Sequence, residues 1–256
     1  MRTAEVTPSG ALMRWTEIPG DRGRPRVYLH GLGAAAAPYY AATVARPELV
    51  GARSLLVDLL GFGTSDRPTD FDYTLEQHTD AVAALLAAAG VRGADVIGHS
   101  MGGAIAVLLA DRHPHLVARL VLVDPSLDPG TPERGRAGGG GIASYSEDEY
   151  LAGGWREIRD LVGPHWWSTL RLAGPEALHR SAVHLVRGTD PTVRARLAAL
   201  TVPRLLLHPS SDAPYPGGPE LLAAGVAVVP VPDCGHNVML DNPDAFTAEL
   251  ARFLAD

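Results

Sequence analysis

The sequence predicts an α/β protein in which a mostly parallel, twisted sheet is flanked by helices. Short apolar runs typical of buried strands alternate with helical segments, glycine-rich turns follow several of these runs, and the alternation fails once. At 256 residues the chain is long enough for one large core with an insertion. We therefore predict a core made of residues 1–126 and 200–256, and a helical lid made of residues 127–199.

The first three strands are predicted from composition. "ALMRWTEI" (11–18) and "RVYLH" (26–30) have the residue types of strands, and the second run ends abruptly at "GLG". "SLLVDLL" (54–60) is apolar almost throughout, which is typical of a strand buried on both faces, and it breaks at "GFG". Both of the latter strands therefore run into glycine-rich loops.

Helices and strands then alternate up to residue 126. The spacing of Thr74 and Gln77 predicts a capping box at the start of an alanine- and leucine-rich helix, which Gly90 ends. The strand "ADVIGHS", an apolar helix that stops at Pro114, and the strand "RLVLVDPS" follow.

The alternation is lost between residues 127 and 199. A segment rich in glycine and proline comes first, and its four consecutive glycines at 138–141 predict a mobile loop. Helical patches that carry three tryptophans follow, among them Trp155 and Trp166. The alternation resumes with the strands "VPRLLLHP" and "VAVVPVP", the loop "DCGHNVMLDNP" and a closing helix.

Composition excludes several classes of protein. The net charge is −7 and all 22 basic residues are arginines without a run, so we expect no nucleic-acid partner. The absence of lysine removes Schiff-base chemistry and the phosphate-loop lysine. Cys234 is the single cysteine, and no segment has the length and apolarity of a signal peptide or membrane span. We predict a cytoplasmic protein with no membrane partner; its oligomeric state stays open.

Gly98, Ser100 and Gly102 form a GxSxG motif between a predicted strand and a predicted helix. At such a turn a serine is forced into a strained conformation that exposes its hydroxyl, and the amides at the helix start face any charge beside it. The plainer interpretation is a serine that caps the helix. The flanking elements favour a nucleophile.

A serine nucleophile needs a base and a carboxylate that orients the base. Among ten histidines, His236 stands out because its glycine-flanked loop lies between the last strand and the last helix. Two aspartates follow strands, Asp212 in "LLLHPSSDAP" and Asp124 in "LVLVDPS", and we favour Asp212 because it gives the chain order Ser, Asp, His. No HExxH or comparable ligand spacing occurs, so no metal site is expected. We also expect no cofactor.

Four ordered motifs resemble those of the α/β-hydrolase fold family over nearly the whole chain. They are "HGLG" (30–33), "DLLGFGTSD" (58–66), "GHSMGG" (98–103) and "GHNVMLDNP" (235–243). The resemblance implies Ser100 as nucleophile, His236 as base, Asp212 as its orienting acid, and the amides of Leu32 and Met101 as an oxyanion hole. It also implies a helical lid after "LVLVDPS". The chain departs from the family at "HPSSD", where a glycine and an acidic residue usually precede the acid.

The leading hypothesis is a serine hydrolase that cleaves an ester, thioester, lactone or related small hydrophobic acyl compound through an acyl-enzyme. Trp155 and Trp166 are candidate substrate contacts. The alternatives are a cofactor-free lyase, C–C hydrolase, cyclase or perhydrolase that uses the same residues. A nicotinamide-dependent dehydrogenase is a more distant alternative, because "GLGAAA" satisfies GxGxxA but Pro38 falls in the helix that follows.

Overall fold

A computed structural model describes residues 1–211 and 213–255 and contains one sheet of eight strands in that part of the chain. The spatial order is β1-β2-β4-β3-β5-β6-β7-β8. Strand β2 is antiparallel to both of its neighbours, and the strands from β4 across to β8 are parallel. The strands are β1 (Arg2–Glu5), β2 (Leu12–Ile18), β3 (Arg26–Leu29), β4 (Ser54–Asp58), β5 (Ala94–His99), β6 (Val117–Val123), β7 (Arg204–Pro209) and β8 (Val226–Val231).

Helices cover both faces of the sheet and fill the segment between β6 and β7. A 3-10 turn, Pro114–Leu116, precedes β6, and a π-helical stretch, Tyr150–Gly154, lies within the inserted segment. The α-helices are α1 (Ala36–Val44), α2 (Leu75–Ala88), α3 (Met101–Arg112), α4 (Gly139–Ile142), α5 (Glu147–Glu149), α6 (Trp155–Leu161), α7 (Pro164–Leu170), α8 (Pro175–Arg187), α9 (Val193–Ala199), α10 (Gly218–Ala223), α11 (Val238–Asp241) and α12 (Pro243–Ala255).

The core lies in two layers, one on each face of the sheet. Helices α2 and α3 pack with apolar side chains of one face, and α1 and α12 pack on the other. Residues 101–110 of α3 are all buried, because this helix is apolar on every side and lies between the sheet and α2. Each leucine side chain removed from water in this way contributes about 2 kcal/mol. A rigid element therefore stands directly behind Ser100.

The inserted segment between β6 and β7 contains helices α4 to α9, as the loss of strand patterning predicts. It is attached to the core by polar contacts: the Gly174 amide donates to the Gly61 carbonyl at 2.9 Å, and the His78 Nε2 and Ser181 Oγ atoms are 3.0 Å apart. We name residues 127–199 the helical insertion; its action as a lid stays a prediction. In the described part of the chain, no helix has the length and apolar character needed to cross a membrane.

Two local predictions need refinement. The Thr74 hydroxyl accepts from the Gln77 amide as predicted, but the Gln77 side chain donates to Asp72, so only half of the expected capping box forms. Residues 139–142 form a short helix instead of an open loop. A Cβ on Gly141 would lie 1.7 Å from the Arg136 carbonyl oxygen, so close backbone packing explains glycine at that position.

Candidate active site

Ser100 lies at the sharp turn between β5 and α3. Its backbone has φ 53° and ψ −117°, a region that non-glycine residues rarely occupy. The turn is tight: a Cβ on Gly98 would lie 2.4 Å from the Gly102 carbonyl oxygen, and a Cβ on Gly102 would lie 2.5 Å from the Leu29 carbonyl oxygen. Ser100 makes no side-chain capping bond to the helix. Its hydroxyl therefore does not act as a cap.

His236 follows β8 in a loop that is held at both ends by hydrogen bonds from nearby residues of the chain. The Gly235 amide donates to Asp241 Oδ2 at 2.9 Å, and the Asn242 side-chain amide donates to the Pro232 carbonyl at 2.9 Å. The imidazole Nδ1 of His236 lies 2.6 Å from Asp124 Oδ2. A carboxylate in this position makes Nδ1 the protonated nitrogen and leaves Nε2 as the proton acceptor.

Asp124 follows β6 and is the candidate acid that the described structure places against His236. Its φ is 40°, and its amide donates to the Leu207 carbonyl on β7 at 2.8 Å. Asp212, which the sequence analysis favoured, lies outside the described residues, so its assignment stays a prediction.

His99, which directly precedes Ser100 in the chain, also contacts the histidine loop, although no sequence motif singled it out. Its Nε2 lies 2.9 Å from the His236 carbonyl oxygen, and the centroids of the two imidazole rings are 4.6 Å apart. Burial, together with the neighbouring His236, lowers the pKa of His99 to about 3, so the ring is neutral near pH 7. Because a carbonyl only accepts, the neutral ring carries its proton on Nε2 and donates it to the histidine loop.

The loop after β3 carries Leu32, a predicted oxyanion donor. His30, at the start of this loop, is fully buried, and burial lowers its pKa. The Leu59 amide donates to His30 Nε2 at 3.0 Å, so the proton is on Nδ1, which donates to the Gly31 carbonyl at 2.8 Å. Gly31 lies against the nucleophile, since a Cβ there would be 3.1 Å from Ser100 Cβ.

The two predicted oxyanion donors are not used elsewhere in the backbone of the described residues. The Leu32 amide donates to no backbone carbonyl there. Met101 is the first residue of α3, and the first amides of a helix have no acceptor within the helix. Both amides therefore keep their donor capacity for a ligand beside Ser100.

A cavity of about 690 Å³ brings most of the predicted residues together. No hydrogen bond joins the Ser100 hydroxyl to the His236 ring among the described contacts, and in many enzymes this bond tightens only around substrate. Trp155 does not line this cavity; the Arg156 guanidinium lies 4.7 Å from its ring centroid. The lining includes Leu32, Tyr39, His99, Ser100, Trp166, Leu185 and His236.

Backbone strain is concentrated at the candidate site. Four non-glycine residues among those described have positive φ, and two of them are Ser100 and Asp124. A third, Asp233, lies in the loop that carries His236. Such conformations cost about 1 to 3 kcal/mol each and persist where a functional geometry requires them. The described residues contain no group of three or more His, Cys, Asp or Glu that could hold a metal ion.

The sheet order, the serine at the β5–α3 turn and the histidine after β8 together define an α/β-hydrolase type of protein. The chain belongs to the alpha/beta hydrolase fold family, whose model matches residues 27–177, more than half of its length. This bears out the fold and the family that the four sequence motifs indicated.

Relatives and solved structures agree on this fold. The chain is 39% identical over 102 residues to 2-hydroxymuconate semialdehyde hydrolase of Pseudomonas sp. (strain CF600), a match that covers 40% of this chain and spans only 36% of that relative's length. It is 29% identical to an AB hydrolase superfamily protein of Bacillus subtilis (strain 168), over 90% of this chain and 91% of the relative. An esterase structure from Exiguobacterium antarcticum superposes with a TM-score of 0.77 at 21% identity, covering 100% of both chains.

Proposed function

We propose that the protein is a serine hydrolase that cleaves a small apolar ester, thioester or lactone through an acyl-enzyme on Ser100. One observation carries the proposal: a strained Ser100 shares a cavity with His236, whose Nδ1 lies 2.6 Å from the Asp124 carboxylate. This constellation supplies a nucleophile, a base and the group that orients the base. The esterase among the structural neighbours agrees with this chemistry.

In the proposed reaction, His236 Nε2 takes the Ser100 proton as Oγ attacks the substrate carbonyl carbon. The resulting oxyanion accepts hydrogen bonds from the Leu32 and Met101 amides. The imidazolium then gives the proton to the leaving alcohol or thiol as the carbonyl re-forms. In the second half, His236 takes a proton from water, hydroxide adds to the acyl carbon, and Ser100 leaves with the proton.

We assign Asp124 as the acid of this mechanism. Its carboxylate accepts a hydrogen bond from the Nδ1–H group, fixes the tautomer that leaves Nε2 basic, and stabilises the imidazolium. The positive φ of Asp124 at the end of β6 supports this role, because strained backbone is retained at functional positions.

The cavity favours a small apolar acyl group. Its volume of about 690 Å³ suits a medium-sized ligand, and Leu32, Tyr39, Trp166 and Leu185 form apolar parts of its wall. We therefore expect short and medium acyl chains to be accepted. We propose a small-molecule substrate, with no nucleic acid or membrane as partner.

A C–C hydrolase is the second candidate, because a 2-hydroxymuconate semialdehyde hydrolase is among the relatives. Such a reaction would use the same serine and histidine. A dinucleotide site is disfavoured by the Asp58 carboxylate. It accepts a hydrogen bond from the Ala36 amide at 2.8 Å, so a negative charge already lies at the helix start where phosphates would bind.

The proposal is tested by kinetics on p-nitrophenyl esters of increasing acyl length, with a 2-hydroxy-6-oxo-dienoate as the C–C substrate. We expect ester turnover, and a loss of about 10⁴-fold or more in Ser100→Ala. Ser168→Ala, at an exposed serine on α7, is the matched control and should keep wild-type rates. Turnover of the dienoate alone would favour the second candidate, and ester turnover that survives Ser100→Ala would refute the nucleophile assignment.

A further inference from the structure

Trp166 of the helical insertion contacts the backbone of the loop that carries the predicted oxyanion donor. Its indole N–H donates to the Leu32 carbonyl oxygen at 3.0 Å. The two residues are 134 positions apart, and Trp166 lies on α7 whereas Leu32 follows β3. The insertion therefore holds the residue whose own amide is the predicted oxyanion donor.

With the hydrogen bond from Trp166, both peptide units that flank Leu32 are held by side chains. His30 Nδ1 donates to the Gly31 carbonyl at 2.8 Å, and this carbonyl belongs to the same planar peptide unit as the Leu32 amide. Trp166 holds the carbonyl of the next peptide unit. Because both units that flank the Leu32 Cα are fixed, the direction of the Leu32 N–H is fixed as well. The core supplies one anchor and the insertion supplies the other.

Packing at Gly33 shows how closely α7 lies against this loop. Gly33 has φ +67°, and a Cβ there would lie 2.9 Å from Leu170 Cδ1 and 3.0 Å from Trp166 Nε1. The loop and α7 are therefore in direct contact, and a larger side chain at position 33 would separate them. A shift of α7 would therefore displace the Trp166 indole that donates to the Leu32 carbonyl.

The segment that follows α7 is itself fixed to the core. The Arg67 guanidinium donates to the Leu172 carbonyl at 2.6 Å, and the Gly174 amide donates to the Gly61 carbonyl at 2.9 Å. These bonds end at backbone atoms, so they hold the chain path and not only a side chain. The Trp166 indole is thus presented to Leu32 from a supported helix.

We infer that Trp166 is a positioning residue for the oxyanion hole, acting through the Leu32 backbone, so that the helical insertion is part of the catalytic apparatus. The inference rests on the proposed function. It differs from the expectation that Trp166 only contacts substrate. A substrate contact would chiefly affect KM, whereas an oxyanion donor acts on the transition state and chiefly affects kcat.

The test removes the indole N–H while keeping the ring. Replacing Trp166 by benzothienylalanine, in which sulfur stands where the N–H is, changes the donor and little else, and Trp166→Phe is the genetically simple version. We expect kcat to fall about 10- to 100-fold with KM within about twofold, since small misplacements of catalytic groups have effects of this size. The rate at which a fluorophosphonate labels Ser100 should fall in parallel, because the phosphonyl oxygen uses the same donors.

Trp167→Phe is the matched control, because Trp167 is the adjacent tryptophan on the same helix and does not line the cavity. It should keep the wild-type kcat. A thermal melt identifies any variant that is not folded. Because benzothienylalanine keeps the shape of the indole, the test can still be made if Trp166→Phe does not fold.

A raised KM at unchanged kcat, or no change in either constant, would overturn the positioning role while leaving the proposed function intact. A folded wild-type protein that neither hydrolyses esters nor labels at Ser100 would overturn the proposed function and the inference with it.

Discussion

The Asp124 carboxylate and the His236 imidazole meet at 2.6 Å although they follow different strands, β6 and β8. Strand β7 lies between these two strands, and the Asp124 amide donates to the Leu207 carbonyl at the end of β7. The contact therefore spans one intervening strand at the carboxyl edge of the sheet, where parallel α/β sheets present their ligand-binding loops.

Asp124→Asn should reduce kcat by about 10³- to 10⁴-fold, because an amide facing Nδ1 no longer fixes the productive tautomer or stabilises the imidazolium. Asp212→Asn is the matched substitution at the other aspartate of the sequence prediction and should change kcat by less than about threefold. Steady-state ester hydrolysis measures both. The reverse order of effects would return the role of acid to Asp212.

His99→Phe should reduce kcat about tenfold and leave KM nearly unchanged. Phenylalanine keeps a ring beside His236 but loses the N–H that donates to the His236 carbonyl at 2.9 Å, so the base would be less well placed. The pH–rate profile supplies an independent readout, because the profile reports the titration of the base itself. Identical kcat and pH profile in His99→Phe and wild type would show that this hydrogen bond has no part in catalysis.

Stability should fall as the pH drops below about 6.5, the ordinary pKa of histidine. Burial lowers the pKa of His78 to about 3, so between these values the unfolded chain binds a proton that the folded chain does not. As the pH falls from 7 to 5, this proton binding by the unfolded chain lowers the free energy of unfolding by about 2 kcal/mol for each such histidine. Urea unfolding at several pH values measures it.

The control for this pH dependence is a pair of histidine variants. His78→Phe removes one buried titrating group, which lies among Phe62, Phe71 and Tyr73, and should flatten the pH dependence of stability. His115→Gln removes an exposed histidine and should leave the slope unchanged. Equal slopes in wild type and His78→Phe would contradict this explanation.

Gly102→Ala should destabilise the turn and abolish most activity. The new Cβ would lie 2.5 Å from the Leu29 carbonyl oxygen and 2.6 Å from the His30 carbonyl oxygen, and neither backbone atom can move without disturbing β3. Gly218→Ala is the matched control, since the nearest atom to its Cβ would be Tyr215 Cβ at an ordinary 3.6 Å. Thermal melts and ester kinetics on both variants distinguish steric conflict from a general effect of alanine.

Strand and helix order was largely predictable because it depends on local patterns. Continuous apolar runs and glycine-rich turns identified β3, β4 and β5, and the loss of alternation located the insertion. Strand β1 was missed, since four residues at an edge carry too little pattern. Ser100 and His236 could be singled out as candidates because each lies in a glycine-containing loop at a predicted strand end.

The remaining site residues depend on tertiary contacts that spacing does not encode. Asp124 and Asp212 both follow strands, and the chain order Ser, Asp, His that favoured Asp212 holds for Asp124 as well. The contact to His236 depends instead on how the β6 and β8 ends approach each other. His99 contacts a backbone carbonyl 137 residues away, and Trp166 contacts one 134 residues away, so neither contact leaves a motif in the sequence. Trp155 has the same residue type as Trp166, but its ring packs with arginines.

The most direct test of the central claim is the intact mass of the protein after reaction with a fluorophosphonate. We predict the addition of one phosphonyl group to the wild-type chain and to Ser168→Ala, and none to Ser100→Ala at the same concentration and time. Peptide mapping of the wild-type adduct should place the group on Ser100. A folded wild-type protein that stays unlabelled, or a label that persists in Ser100→Ala, would contradict the assignment of Ser100 as the nucleophile.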